Sequence, residues 1–462
     1  MTMTMTCFKA YDIRGRLGHD LDADIARAIG RGFAAARSPK SVVIGRDARE
    51  SSADLAQALA EGLIAGGVDV HDIGLAGTEE VYFATDHLGT DGGLCVTASH
   101  NPIDYNGIKL VGAGARPLSP ADLDAVRAAS EVPHPDAATP GTLIPADPRA
   151  DYVARVLSFV EPAALKPLKV LVNAGNGAAG PTFDAIAQAL AQAGAPVTWV
   201  RMHHDPDPTF PNGIPNPLLA ENQPVTGGAV VAHGCDLGLA WDGDFDRCFF
   251  FDQRGRFVPG EYMVGLLAAA FLDKTPGAKI VHDPRVTWNT VDIVTERGGV
   301  AVQARTGHAF MKAVMREHDA VYGGEMSAHH YFRNFMYCDS GMIPALLVIA
   351  HMSATDRGLA DLVAARRAAF PSSGEINFKV DDADAATARV LAVFEGEETL
   401  LDASSIPSLR DETDGISLEF PDWRFNLRRS NTEPLLRLNV ETCGNADLLA
   451  ARVEQLEALI RG

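Results

Sequence analysis

Three times along the first three quarters of the chain, a short apolar run is followed by an Ala- and Leu-rich stretch of helical period. That alternation limits the fold more than any other feature of the sequence. Residues 41–45 predict a strand, and residues 52–65 a helix capped by Ser51 or Ser52, with Leu55, Leu59, Leu63 and Ile64 on its apolar side. Residues 168–172 predict a second strand, followed by a Gly-rich turn and a helix over 183–193. Residues 278–281 predict a third strand, with a helix over 287–295. Strands that alternate with helices imply βαβ units and mixed or parallel sheets. Each unit is followed by another apolar strand that ends in a polar loop, at 93–102, 237–247 and 320–329. This weak, architectural repeat suits a site built at a shared cleft, with one loop from each unit.

The stretch 133–148 is rich in Pro, Ala, Thr and Asp, lacks periodicity and reads as a linker. Turn signals over 252–260 and at Pro371-Ser-Ser-Gly374 predict two further boundaries. The tail beyond them changes character. Strand patterns at 375–380, 415–420 and 435–440 and helices near 383–394 and 445–461 make it α+β. For 462 residues, at roughly 100–200 residues per domain, about three domains are the first expectation.

Composition narrows the function. With 47% hydrophobic and 22% charged residues, the chain is expected to be globular. Lys plus Arg is 40 and Asp plus Glu is 60, so the net charge is −20. Such a field repels nucleic acid, whereas a small anionic substrate needs only a local group of cations. The six cysteines are scattered, without CxxC spacing, and predict free thiols in a reducing, cytoplasmic setting. The Met/Thr-alternating start has no apolar core of a secretory signal. The longest apolar runs, 264–272 and 343–350, fall short of the ~20 residues of a spanning helix, so no membrane partner is expected.

Four polar loops carry chemistry. In Asp242-Gly-Asp-Phe-Asp-Arg247, three alternate carboxylates with a Gly between the first two can fold around one hard cation. Oxygen ligands without Cys or His suit Mg²⁺, and the bidentate Glu of an EF-hand is missing. The competing reading is a polar turn whose carboxylates cap a helix. In Thr97-Ala-Ser-His-Asn-Pro102, Ser99 ends a strand in a small-residue loop and can accept a phosphoryl group, although the loop alone is also that of an ordinary turn. It is not Gly-x-Ser-x-Gly, which argues against a lipase-type elbow. In Gly324-Glu-Met-Ser-Ala-His-His330, Glu325 and Ser327 could grip two sugar hydroxyls, His329 could meet phosphate, and His330 reads as structural. His308 sits in another short polar loop, after Gly307. Arg428-Arg-Ser-Asn-Thr432 supplies a forked cation and neutral donors suited to a phosphate dianion, or else a capped turn with a solvated Arg.

Together, in this order, the loops resemble the α-D-phosphohexomutase superfamily, and within it the bacterial phosphomannomutase/phosphoglucomutase group. The resemblance runs from Lys9-Ala-Tyr-Asp-Ile-Arg-Gly15 through Asn106-Gly-Ile-Lys109 and Phe210-Pro-Asn-Gly-Ile-Pro-Asn-Pro217 to Arg428-Arg-Ser-Asn-Thr-Glu-Pro434. It implies three similar mixed α/β domains and a C-terminal α+β domain around a central active-site cleft. The corresponding divisions are 1–147 with the phosphoserine loop, 148–255 with the metal loop, 256–369 with the sugar loop and 370–462 with the phosphate loop. It further implies that Ser99 carries the phosphoryl group, and that Asp242, Asp244 and Asp246 bind Mg²⁺ together with a phosphate oxygen on Ser99. Glu325 and Ser327 would read sugar hydroxyls, and Arg428, Ser430, Asn431 and Thr432 would clamp the phosphate that is not being transferred. Arg14, His100, Lys109 and Arg247 match positions around the reacting phosphate, and Tyr11, Arg285, Gly307, His308 and His329 match substrate-binding ones. The implied activity interconverts mannose 6-phosphate and mannose 1-phosphate through a hexose 1,6-bisphosphate, with action on glucose phosphates as well, toward GDP-mannose and surface polysaccharide. Lys109 and His100 are the two candidate proton acceptors. Sugar phosphates are the expected partners, and the sequence does not set an oligomeric state. The chain departs from the commonest pattern at Phe245, where many relatives have Gly, and at Arg285, where some have Lys. A metal-dependent phosphatase should lack the sugar loop and the clamp, and a non-catalytic sensor should have lost Ser99 or a metal Asp; this chain keeps them all.

Overall fold

The computed structural model describes residues 4–395, 407–429 and 435–462. The chain forms two compact units, Met1–Val258 with Ser327–Leu359, and Pro259–Met326 with Ala360–Gly462.

One strand order recurs three times. A central strand carries a parallel neighbour on each side, and one of the two neighbours runs into a polar loop. In the first unit, Ser41–Arg46 lies between Asp69–Leu75 and Gly92–Val96. In the same unit, Leu168–Asn173 lies between Val197–Met202 and Leu237–Trp241. In the second unit, Lys279–His282 lies between Val300–Gln303 and Tyr322–Gly324. The expected repeat is therefore one of topology. Central parallel strands are covered on both faces, which is why they are apolar without alternation. Val42, Val43 and Ile44, then Val170, Leu171 and Val172, then Ile280 and Val281 are all buried. The helices Glu50–Ala65, Ala179–Gln192 and Trp288–Glu296 follow these strands.

Antiparallel strands complete the two sheets of the first unit. Tyr105–Gly112 pairs with Gly92–Val96, and Ile13–Arg16 pairs with Tyr105–Gly112. Cys248–Phe251 pairs with Leu237–Trp241. The pairing folds the chain back immediately after each polar loop, so the loop's far end is anchored beside its near end.

Two local readings are corrected. Ser51 and Ser52 do not cap their helix, which starts at Glu50 after an Arg49 that makes no side-chain cap. Instead Ser52 Oγ donates to Asp47 Oδ1 (2.5 Å), and Asn106 Nδ2 donates to Ser51 Oγ (2.8 Å). A tertiary partner outcompetes the local cap. The stretch read as a linker contains the strand Leu143–Pro145, parallel to Asp69–Leu75. An edge strand that short has no detectable period of its own. Pro371 to Gly374 leads into the strand Ser372–Phe378, which has a register irregularity at Ser372/Glu375 and Gly374 at φ +68°.

The C-terminal sheet of the second unit is antiparallel, in the order Ser372–Phe378, Leu436–Thr442, Trp423–Arg429, Ile416–Glu419 and Leu409–Asp411. One face alternates into a core of Phe378, Leu418, Phe425, Leu427, Leu436, Leu438 and Val440. The helices Ala383–Phe394 and Ala446–Arg461 cover that face through Val390, Phe394, Leu456 and Ile460. Asp382 and Asn445 cap the two helices by accepting from Ala385 N and Leu448 N.

At the irregularity, the Glu375 carboxylate accepts from Arg285 Nη1 (3.0 Å) and Arg428 Nη2 (2.8 Å) and pairs with Arg437 Nη1 (3.1 Å). Burial opposes its charge, but Arg285, Arg437 and Arg428 outweigh burial and hold Glu375 at about 2. A carboxyl lowered by folding contributes stability above its unfolded pKa, and loses it as pH falls through the folded one. From an ordinary 4.5 to about 2, the contribution is on the order of 3 kcal/mol, lost progressively below about pH 4.5. Denaturant melts of the full chain from pH 6 to pH 3 should show this loss. Glu375→Gln should be weaker at pH 6 and should flatten the acid slope; parallel slopes in the two proteins would refute the assignment.

Candidate active site

Ser99 stands three residues beyond the strand Gly92–Val96 with φ +50°, the left-handed region that a non-Gly residue visits rarely. Its N–H donates to Thr97 Oγ1 (2.8 Å), and its Oγ donates to Asp242 Oδ2 (2.7 Å). His100 Nδ1 lies 2.9 Å from the same Oγ, and Arg247 Nη2 lies 3.5 Å away.

The metal loop follows the strand Leu237–Trp241. Asp242, Asp244 and Asp246 are buried, and each offers an oxygen within 4.8 Å of the others'. Alternate spacing puts all three on one side of the loop, as expected from the sequence. Gly243 permits the contact with the serine loop, because a Cβ there would lie 2.5 Å from the Ser99 carbonyl oxygen. Phe245, at φ +46°, buries its ring where a Cβ on Gly77 would otherwise stand, 2.3 Å from that ring.

Positive charge and donors surround the carboxylates. Lys109, on the strand Tyr105–Gly112, donates to Asp244 Oδ2 (2.6 Å) and Asp246 Oδ2 (2.5 Å). Arg247 donates to Asp242 Oδ2 through Nε (2.9 Å) and Nη2 (2.7 Å). Thr78, first residue of the helix Thr78–His87, donates its hydroxyl to Asp244 Oδ2 (2.6 Å) and its N–H to Asp244 O (3.1 Å). Burial pushes the Asp242 and Asp246 carboxyls up, and the Asp244 charge pushes Asp246 further. Against the same burial, Lys109 holds Asp244 well down, and the two aspartates hold Lys109 in its charged form. One oxygen of each aspartate, Oδ1 in all three, is buried without a hydrogen-bond partner. Three orphaned oxygens, an oxygen-only donor set and a net negative cluster fit a hard divalent cation.

Other expected residues gather in the same unit. Arg14 donates to Asn101 Oδ1 (2.5 Å) and to Asp12 Oδ2 (2.9 Å), which ties the strand Ile13–Arg16 to the serine loop. Tyr11 precedes that strand and is partly exposed. Burial, then the charges of Arg247 and Arg14, hold the His100 ring neutral. His329 pairs by backbone with Arg247, reaches within 3.8 Å of Asp246 Oδ1, and shares a 3.0 Å hydrogen bond with Ser327 Oγ. His330 is fully buried and lowered to about 3 by burial, as a structural histidine should be.

A second group forms in the other unit. Glu325, after the strand Tyr322–Gly324, accepts from Gly307 N (2.8 Å) and lies 3.8 Å from Arg285 Nη2. Arg285 is itself fixed by Asp283 (2.5 Å), whose Oδ2 also accepts from Met326 N (3.1 Å). Gly307, at φ +125°, turns the chain into the helix His308–His318, with His308 its first residue. Arg428 lies in the strand Trp423–Arg429 and not in a loop, joined to Arg285 through Glu375. Ser430, Asn431 and Thr432 lie outside the described residues.

Sequence reasoning missed Thr78 and Asn101, and it missed Glu375 as the carboxylate shared by the arginines. Thr78 and Glu375 lie outside the four polar loops, and Asn101 stands in the serine loop without a chemical role of its own assigned to it. The available signal for Thr78 was its place after Gly77 at a helix start, where donors point outward.

Comparison with known proteins identifies the family. Residues 5–133, 150–255 and 259–370 match the alpha/beta/alpha domains I, II and III of phosphoglucomutase/phosphomannomutase, and residues 375–459 match its C-terminal domain. The chain is 55% identical over 460 residues to a phosphomannomutase of Salmonella typhimurium, covering 99% of each chain. It is 56% identical over 465 residues to a phosphohexose mutase of Xanthomonas campestris, covering 100% of both. Among solved structures, a phosphoglucomutase/phosphomannomutase family protein of Burkholderia thailandensis superposes with a TM-score of 0.84 at 31% identity, covering 100% of this chain and 98% of that one. The chain belongs to the phosphoglucomutase/phosphomannomutase family of phosphohexomutases.

Proposed function

We propose that this enzyme interconverts mannose 6-phosphate and mannose 1-phosphate, with Ser99 as the phosphoryl carrier. The observation that carries the reading is the placement of Ser99 Oγ 2.7 Å from Asp242, on the edge of a triad with three orphaned carboxylate oxygens. Asp242, Asp244 and Asp246 would hold Mg²⁺, which would neutralise charge on the transferring phosphate. The curated relatives named phosphomannomutase support the choice of substrate. Six free thiols suit a reducing compartment, and we read the enzyme as cytoplasmic.

The chain's own residues then divide the work. The free hydroxyl of a sugar phosphate attacks the phosphorus carried on Ser99. The new sugar O–P bond forms as the Ser99 Oγ–P bond breaks, and the hydroxyl proton must leave. Lys109, bonded to two aspartates, and His100, whose Nδ1 lies beside the leaving Ser99 Oγ, are the two candidate acceptors of that proton. Arg247 stands against the serine oxygen, where charge appears as the bond breaks. The hexose 1,6-bisphosphate then turns around and returns its other phosphate to Ser99. Arg428, with Ser430, Asn431 and Thr432, is our candidate clamp for the phosphate that is not reacting, and binding energy from that remote group helps to position the reacting one.

Protein purified as expressed, or treated with hexose 1,6-bisphosphate, should carry phosphate at Ser99 by peptide mapping. Ser99→Ala should lose several orders of magnitude in turnover, and chelator should abolish activity that Mg²⁺ restores. Phosphate mapped to another residue, or full activity in chelator, would sink the reading.

Mannose and glucose differ at C2 alone. If Glu325 and Ser327 read O3 and O4, both sugars present the same pattern to them. Turnover of glucose 1-phosphate should therefore be measurable beside that of mannose 1-phosphate in parallel assays. A preference for mannose above ~10⁴-fold would require a dedicated contact to O2 and would overturn this assignment of the two residues.

A further inference from the structure

The Ser99 loop is shaped by a buried arginine that belongs to none of the four polar loops. Arg49 sits at the start of the helix Glu50–Ala65, and its side chain is 1% exposed. Its guanidinium spends its donors on backbone carbonyls of the serine loop. Nη2 donates to Ser99 O (3.0 Å) and Asn101 O (2.6 Å), and Nη1 donates to Pro102 O (2.9 Å) and Tyr105 O (3.1 Å). Nε faces Asp47 Oδ2 at 3.5 Å. Asp47 in turn accepts from Arg49 N (3.0 Å) and Ser52 Oγ (2.5 Å). Thr97 Oγ1 accepts from Ser99 N (2.8 Å). The peptide groups on both sides of Ser99 are thus gripped, its N–H by Thr97 Oγ1 and its carbonyl by Arg49.

The backbone needs such a grip. A non-Gly residue in the left-handed region is strained and persists where its surroundings over-determine it. A planar, forked guanidinium can collect four carbonyls that converge from a reversing loop, whereas an ammonium is a point with three donors.

On the reading that Ser99 carries the phosphoryl group, we propose that Arg49 is a positioning residue for phosphoryl transfer, holding the Ser99 backbone, through four carbonyls, in the conformation that aims Oγ at the metal loop. Arg49 donates to those carbonyls and not to the Ser99 side chain. Its loss therefore acts on the geometry of transfer and not on sugar recognition. A displacement of about 1 Å at a reacting atom can cost about 10²-fold in rate.

The test uses the full-length enzyme, Arg49→Lys and Arg49→Gln, each charged with hexose 1,6-bisphosphate. Both variants should show kcat for mannose 1-phosphate reduced about 10²-fold, with KM within about threefold of the parent. The ³¹P resonance of the phosphoserine should move or broaden in both, a change that a merely stabilising side chain would not cause. Thermal melts report whether each variant is folded, and if Arg49→Lys fails to fold, Arg49→Gln decides alone. A folded variant with kcat within about threefold of the parent, or with an unchanged ³¹P resonance, overturns the proposal. Peptide mapping of the charged parent separates the two readings. Phosphate on Ser99 with normal variants defeats Arg49 alone, while phosphate elsewhere defeats both.

Discussion

Three carboxylates cannot share one buried loop unless positive charge and donors are brought to them, and the first unit is arranged around that need. Charges cost several kcal/mol each to remove from water, so each aspartate must be matched. Lys109 comes from an antiparallel strand, Arg247 from the end of the loop itself, and Thr78 from the start of a helix. The N-terminus of that helix carries partial positive charge toward Asp244, which adds to what Lys109 supplies. Glu79, the next residue, is buried and bonds to Tyr152 and to the backbone of Gly341. The helix is pinned from behind, so Thr78 meets Asp244 without searching for it.

The same economy explains the mixed sheets. Parallel strands bring the Ser99 loop and the Asp loop out at the ends of their sheets, since both loops follow strands that run parallel to a central neighbour. Antiparallel pairing then returns the chain at once. In the first sheet the returning strand carries Lys109 back to the aspartates; in the second it is entered through Arg247, which precedes Cys248–Phe251. A continuation through a long crossover would leave those cations far from the charge they answer.

Much of this was legible in the sequence because it is local. The alternate aspartates, the apolar strand before each loop and the amphipathic helices are patterns within a few residues of one another. What was not legible acts over long separations. Ser51 and Ser52 have the composition of a helix cap, and only the approach of Asn106 reveals another use for them. Leu143–Pro145 is too short to show a period, and its identity as a strand exists only beside Asp69–Leu75. Arg428 was placed in a loop by the polar residues after it, while its own side chain is buried on a strand by Glu375, more than fifty residues earlier in the chain. Arg49 offered no sign at all, because its partners are backbone carbonyls, which no residue type announces.

Phe245 shows how a departure from the commoner loop pattern can leave the carboxylate geometry in place. The loop turns there through a positive φ, which Gly would adopt without cost and Phe does not. The ring offsets that cost by full burial against Gly77, where any side chain would collide with it. Burying a Phe ring is worth on the order of 1.5–3 kcal/mol, at least comparable to the cost of the turn. Gly77 is also the residue before Thr78, so the ring that stabilises the turn presses on the backbone that delivers the hydroxyl to Asp244. A bulky residue at the turn and an empty position at the helix start therefore form one device. Together they fix the carboxylate that Lys109 and Thr78 share, and the metal loop keeps its shape without the flexibility of a second glycine.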